Sequence, residues 1–323
     1  MLIIDKHFLG IASLANAAAN GHTDIIKLLL AHPDIDVNLQ SSEGHTALIN
    51  AAIKGYSEIV KLLLDQHVID VNKQTKRGGT ALIYKSWAGN TQIVKLLLSQ
   101  PDIDINIQTS NGYTALINAA IRGNTDIVKL LLAQPSINVN LQHNDGHTAL
   151  ITAADYGHIE IVKLLLARPD INVNLQTSNG ATALMYAAGK NHIDVVKLLL
   201  AQPDIDINLQ TNDGVTTLIN AAIDGYTEIM KLLLAQPDID VNLQDTEGHT
   251  ALIDAAYFGH SEIVELLVAT PDIDVNLQTK RGYTALIRAA YDGYSEIIKI
   301  LLEQPDIDVN LQLKTGKPKF FMF

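Results

Sequence analysis

A strict period of 34 residues governs this chain and limits what it can fold into. Gly44, Gly78, Gly112, Gly146, Gly180, Gly214, Gly248 and Gly282 share one phase, which extends back to Gly10 and on to Gly316. A second glycine follows eleven residues later, at positions 21, 55, 89, 123, 157, 225, 259 and 293. Together the two phases hold 18 of the 20 glycines, so glycine here marks the register and little else. Such a spacing belongs to arrays of small units, each unable to bury its apolar face alone and stable only against its neighbours. No segment breaks the register as an interdomain linker would. The chain therefore reads as one array over residues 1–323, with repeats starting at 10, 44, 78, 112, 146, 180, 214, 248 and 282 and a partial tenth at 316.

Residues 44 to 77 show how one unit is expected to fold. Thr46 suits a helix N-cap, and Ala47-Leu48-Ile49-Asn50-Ala51-Ala52 follows as a short helix. Gly55 supplies the left-handed residue that ends it, and Asn191 stands in that slot in the repeat from 180. Ser57 is placed to cap a second helix, with Glu58 at its positive end and Leu62-Leu63-Leu64 as buried rows. The Pro-Asp-Ile-Asp-Val-Asn stretch, as at 237–242, then stops the helix and turns extended. Helices of two or three turns do not persist alone in water, so the core must be a seam running between repeats.

Gly-His-Thr-Ala-Leu-Ile-Asn-Ala-Ala at 44–52, Gly55 and Glu-Ile-Val-Lys-Leu-Leu-Leu at 58–64 together resemble the ankyrin repeat. The resemblance covers residues 10 to 316, nine helix pairs. Two departures stand out: Thr-Ala-Leu-Ile replaces the family's usual Thr-Pro-Leu-His, and the unit is one residue longer. The resemblance implies an all-α ankyrin-repeat solenoid of stacked helix-turn-helix units with short β-hairpin fingers. It also implies that fingers and first helices line a concave, partner-binding groove.

Chemistry-bearing motifs are scarce outside this register. With no cysteine, disulfides and thiolate chemistry are excluded, and a reducing, cytoplasmic setting is expected (the host cytoplasm if the source is an intracellular bacterium or a virus). The net charge of -12 disfavours nucleic acid and anionic membrane as partners, and no apolar run is long enough to span a bilayer. Most of that charge is framework: the Pro-Asp-Ile-Asp segments carry 14 aspartates and the second-helix starts eight more acids, against eight recurring lysines. Asp34-Ile35-Asp36-Val37-Asn38 resembles half a calcium loop but lacks the glycine and glutamate that would complete it. His143 and His147 span a finger turn without a third ligand. The expectation is no enzyme, no catalytic residue, no metal and no cofactor.

Function should then lie where the repeats differ. The first-helix and fingertip slots yield Tyr84, Lys85 and Trp87, then Tyr113, Asn118 and Arg122, then His147, Asp155 and Tyr156, then Tyr186 and Lys190. Further along stand Asp224, then His249, Asp254, Tyr257 and Phe258, and finally Tyr283, Arg288 and Tyr291. These slots hold seven of ten tyrosines and the sole tryptophan, which points to interface anchors. One window departs from the framework itself. Lys85-Ser86 replaces the buried Ala-Ala pair beside Trp87, with Lys76 and Arg77 on the same finger. The window reads either as neutral drift in a tolerant array or as a basic-aromatic pocket for an acidic partner, and its seam is expected to be the weakest of the stack. The expected function is a non-catalytic scaffold or adaptor, a host-directed effector, binding one or more proteins but neither nucleic acid nor membrane. Self-association through an uncapped C-terminal end is a second expectation, with Phe320-Phe321-Met322-Phe323 either packing on the last helices or contacting a partner. The competing readings are nucleic-acid binding through Lys76, Arg77, Lys280, Arg281 and Arg288, and a regulatory subunit of an enzyme complex.

Overall fold

The computed structural model describes residues 6–314, so Met1-Leu2-Ile3-Ile4, the partial tenth finger at Gly316 and the aromatic tail lie outside the described residues. Among these residues there are eighteen helices in nine pairs and no strand. The first helices are α1 (Lys6–Asn20), α3 (Ala47–Lys54), α5 (Ala81–Ala88), α7 (Ala115–Ile121), α9 (Ala149–Asp155), α11 (Ala183–Gly189), α13 (Thr217–Asp224), α15 (Ala251–Phe258) and α17 (Ala285–Asp292). Their partners are α2 (Thr23–Leu30), α4 (Ser57–Leu64), α6 (Thr91–Leu98), α8 (Thr125–Leu132), α10 (Ile159–Leu166), α12 (Ile193–Leu200), α14 (Thr227–Leu234), α16 (Ser261–Val268) and α18 (Ser295–Leu302). Two compact units contain them: residues 1–153 with 160–171, and residues 154–159 with 172–323. In the first unit α1, α3, α5 and α7 pack in series, as do α2, α4, α6 and α8. In the second unit α11, α13, α15 and α17 form one such row and α12, α14, α16 and α18 the other.

The repeat is built from local rules applied again and again. Thr46 caps α3 by accepting a hydrogen bond from the Ile49 amide at 3.1 Å, and the corresponding threonines at 80, 114, 148, 182, 216, 250 and 284 do the same. Each such cap is worth about 1 kcal/mol. Gly55 ends α3 with φ of 84°, and Asn191 takes the same left-handed geometry at 56°. Behind the caps, Leu48, Ile49, Ala51 and Ala52 are fully buried, as are Ile59, Val60 and Leu63 of α4. The alanine pair is small because the next first helix packs directly against it.

Between repeats, side-chain amides do the stitching. Asn208 donates through Nδ2 to the Asp238 carbonyl at 2.7 Å and accepts through Oδ1 from the Asp240 amide at 2.9 Å. Asn38, Asn106, Asn174 and Asn242 repeat this bidentate grip on the next loop. Asp206 in turn accepts from the Asn208 amide two residues on, which sets the local turn. A glutamine ladder runs alongside: Gln74 Nε2 donates to the Gly78 carbonyl of its own finger and to the Gln108 carbonyl of the next repeat.

Three expectations need correction. The fingers are not paired strands among the described residues but tight turns, closed by Gly78 N donating to Thr75 O and Thr75 N to Gly79 O. Two rungs are too few to extend a ladder, and the next bond leaves for the neighbouring finger, Lys76 N to Glu43 O. Ser57 does not cap α4; Tyr56 holds that position without a side-chain cap, because its ring is committed to lying over Gly21 of the preceding repeat. The first helix begins at Lys6, ahead of the first repeat's expected start at residue 10.

Candidate functional site

The slots that vary between repeats fall into three environments, only one of which is an open site. The residue after the finger glycine and the fourth residue of the first helix face each other and are paired by chemistry. His45 Nδ1 meets Asn50 Oδ1 at 3.0 Å, and His249 Nδ1 meets Asp254 Oδ1 at 2.7 Å. The Arg288 guanidinium lies 4.9 Å from the ring centre of Tyr283. Gly79 and Tyr84 form the same pair by size: a Cβ at 79 would come within 2.6 Å of the tyrosine ring, so the missing side chain makes room for it. The Tyr84 hydroxyl then lies 3.2 Å from Thr75 Oγ1.

Two residues expected on the exposed face, Asp254 and Asn118, are buried, and so is Lys85, which stands in the slot of the buried alanine pair. Asp254 is 4 % exposed and is held by His249; the hydrogen bond to this carboxylate raises the His249 pKa above its ordinary value, against the opposing effect of burial. Lys85 is 5 % exposed, with Nζ donating to the Ile53 carbonyl near the end of α3 at 3.2 Å, and burial lowers its pKa. It therefore replaces the small alanine by threading its stem through the seam toward an unsatisfied helix-end carbonyl. Asn118 is 8 % exposed. The reason is common to all three: these slots look toward a finger or a neighbouring helix, not outward.

The cleft lies beside these substitutions, between α5 and the following finger, and measures about 430 Å³. Its lining includes Arg77, Ile83, Tyr84, Trp87, Tyr113 and Asn118. Trp87 is 45 % exposed, and Arg122 stacks 5.0 Å from its ring centre. Tyr113 is backed by a column of rings, His143 at 4.6 Å and then His147 stacked on His143 at 4.9 Å. Burial, followed by the nearby His147, lowers the His143 pKa against the pull of Asp145, so the His143 ring is neutral near pH 7. Arg77 was singled out in the sequence with this window; Gly79 and Ile83 were not, although Gly79 is the one glycine in its slot and stands five residues before a tyrosine.

In the second unit the aromatics mostly satisfy one another. Arg288 stacks on Tyr257 at 3.8 Å as well as on Tyr283, and Tyr257 packs against Phe258 at 4.7 Å. A smaller cleft of about 220 Å³ lies beside them, lined by Glu247, His249, Arg281 and Arg288 among others. Tyr156 is exposed and stacks with His158, Tyr291 is 76 % exposed, and Lys190 and Asp224 are exposed. Tyr186 and Asp155 are half-buried. The basic fingers are locally balanced: Lys76 faces Glu43 at 3.8 Å and Lys280 faces Glu247 at 3.7 Å. Among the described residues, no group of three or more His, Asp or Glu side chains is arranged to hold a metal ion, and no helix is long and apolar enough to cross a membrane.

This geometry accompanies a family match. The model for ankyrin repeats (3 copies) matches residues 14–109, 88–177, 169–245 and 218–312, and the chain belongs to the ankyrin repeat family. Ankyrin repeats are generally protein–protein interaction modules and typically lack enzymatic activity. Comparison with curated proteins gives no match.

Proposed function

We propose that this chain is a non-catalytic scaffold or adaptor that binds partner proteins through its first-helix and finger face. The observation that carries this reading is the division of labour within each repeat. Caps, alanine pairs and amide ladders recur through most repeats, while sequence variation and exposed aromatics collect mainly on one set of slots. Large aromatics left open to water on an otherwise satisfied framework are the usual anchors of interfaces. The absence of cysteine accords with a reducing setting such as a cytoplasm.

Site-specific photocrosslinking decides it. A crosslinker in place of Trp87 or Tyr291 is expected to capture partner protein, whereas one in place of Lys95 on the outer helix α6 is not. Capture from position 95 alone would move the interface to the opposite face and end this reading.

A further inference from the structure

Asn118 is the feature that the fold does not explain. Two residues in the same slot are satisfied: Asn50 accepts through Oδ1 from His45 Nδ1 and donates to the Ala15 carbonyl, and Asp254 is bound by His249. The Asn118 side chain is mostly buried, lines the 430 Å³ cleft and makes no hydrogen bond within the described residues, yet its polar atoms are not sealed from solvent. A carboxamide open to a cleft is free to pair with a ligand. A carboxamide offers one acceptor and one donor side by side, the complement of a peptide group in an extended chain.

The surroundings define the rest of that ligand. Ile83, Tyr84, Trp87 and Tyr113 enclose an apolar space large enough for an aromatic or branched aliphatic side chain. Charge is equally one-sided. Over the fingers and first helices from residue 41 to residue 124, the cations outside the seam are Lys54, Lys76, Arg77 and Arg122, against a single carboxylate, Glu43, which pairs with Lys76. The chain as a whole carries -12, so this face is a local reversal of sign.

We infer that the Tyr84–Trp87–Tyr113 cleft binds a linear acidic segment of a partner protein. One apolar side chain enters between Trp87 and Tyr113, the adjacent peptide group pairs with the Asn118 amide, and flanking carboxylates lie against Arg77 and Arg122. This rests on the interaction reading above and narrows it to one occupant.

The test selects random linear peptides displayed on phage against the full chain, then titrates the enriched peptides while following the fluorescence of Trp87, the only tryptophan. Enrichment of Asp and Glu around one Phe, Trp, Leu or Ile is expected, with a shift in Trp87 emission on binding. Asn118→Leu is expected to weaken binding roughly tenfold or more with the helical circular dichroism unchanged, which separates lost recognition from lost folding. Arg77→Glu is expected to reverse the charge preference, and a neutral or basic consensus on the wild type overturns the proposal. So does unchanged affinity in Asn118→Leu, or enrichment of no peptide at all. Peptides that bind these variants as well as wild type end the cleft assignment but leave the interaction reading intact. That reading fails only by the crosslinking result.

Discussion

The most telling residues are those whose partner lies five positions back on the finger. His249 and Asp254 form the tightest of these pairs, and their chemistry fixes a sign. The hydrogen bond from the ring to the buried carboxylate holds the His249 pKa above 6.5, with Asp245 adding to the effect and burial and Arg288 opposing it. A histidine whose folded pKa is raised stabilises the fold fully below its unfolded value and loses that contribution as pH climbs through the folded one. The melting-temperature deficit of His249→Ala should therefore be larger at pH 6 than at pH 8.5. In parallel, the ring titration followed by NMR should fall toward or below 6.5 in Asp254→Asn. A deficit that does not vary with pH would mean that the pair acts only by packing. Sequence periodicity placed Asp254 and Asn118 outside because it tracks helix faces, whereas this slot is covered by a finger. The recurrence of a small or polar residue five positions before a matched one (Gly79 with Tyr84, His45 with Asn50, His249 with Asp254) was the available signal.

At the scale of one element, the interrepeat loops matter as much as the helices. Each ladder asparagine holds two backbone groups of the following loop, so Asn208→Ala leaves the Asp238 carbonyl and Asp240 amide without protein partners. A loss of about 1–3 kcal/mol is expected by chemical denaturation. Asn208→Asp should do no better, since its second oxygen would face a carbonyl. A loss under a few tenths would show that water replaces the amide freely. The helices were legible from sequence because threonine, glycine and proline punctuate them; the ladders were not, because their bonds span 30 and 32 residues. A helix pair can also be weakened from within. α5 buries the Lys85 ammonium in the seam with α3, and the Ser86 hydroxyl has no partner there. α13 has an alanine pair in the same place. Amide hydrogen exchange should accordingly be faster across residues 80–100 than across 216–236, and equal protection would contradict it.

For the whole molecule, stability in a repeat array is a sum of unit and neighbour terms, so one poor seam need not unfold together with the rest. The composition supplies a probe for this. Trp87 is the only tryptophan and sits on α5, inside the suspect seam, whereas circular dichroism at helical wavelengths reports all eighteen helices. Restoring the framework with Lys85→Ala and Ser86→Ala removes a buried cation and an unsatisfied hydroxyl, each of which disfavours the packed state. Burial lowers the Lys85 pKa, so its penalty is greatest where the amine is charged and diminishes as pH rises through the folded value toward 10.5. In wild type at pH 7, the tryptophan signal should therefore change at lower denaturant than the helical signal. The gap should narrow near pH 10, and in the double-alanine chain the two transitions should coincide at every pH. Coincident transitions already present in the wild type at pH 7 would show that the Lys85–Ile53 carbonyl bond fully offsets the burial of charge, and that the array unfolds as one cooperative body.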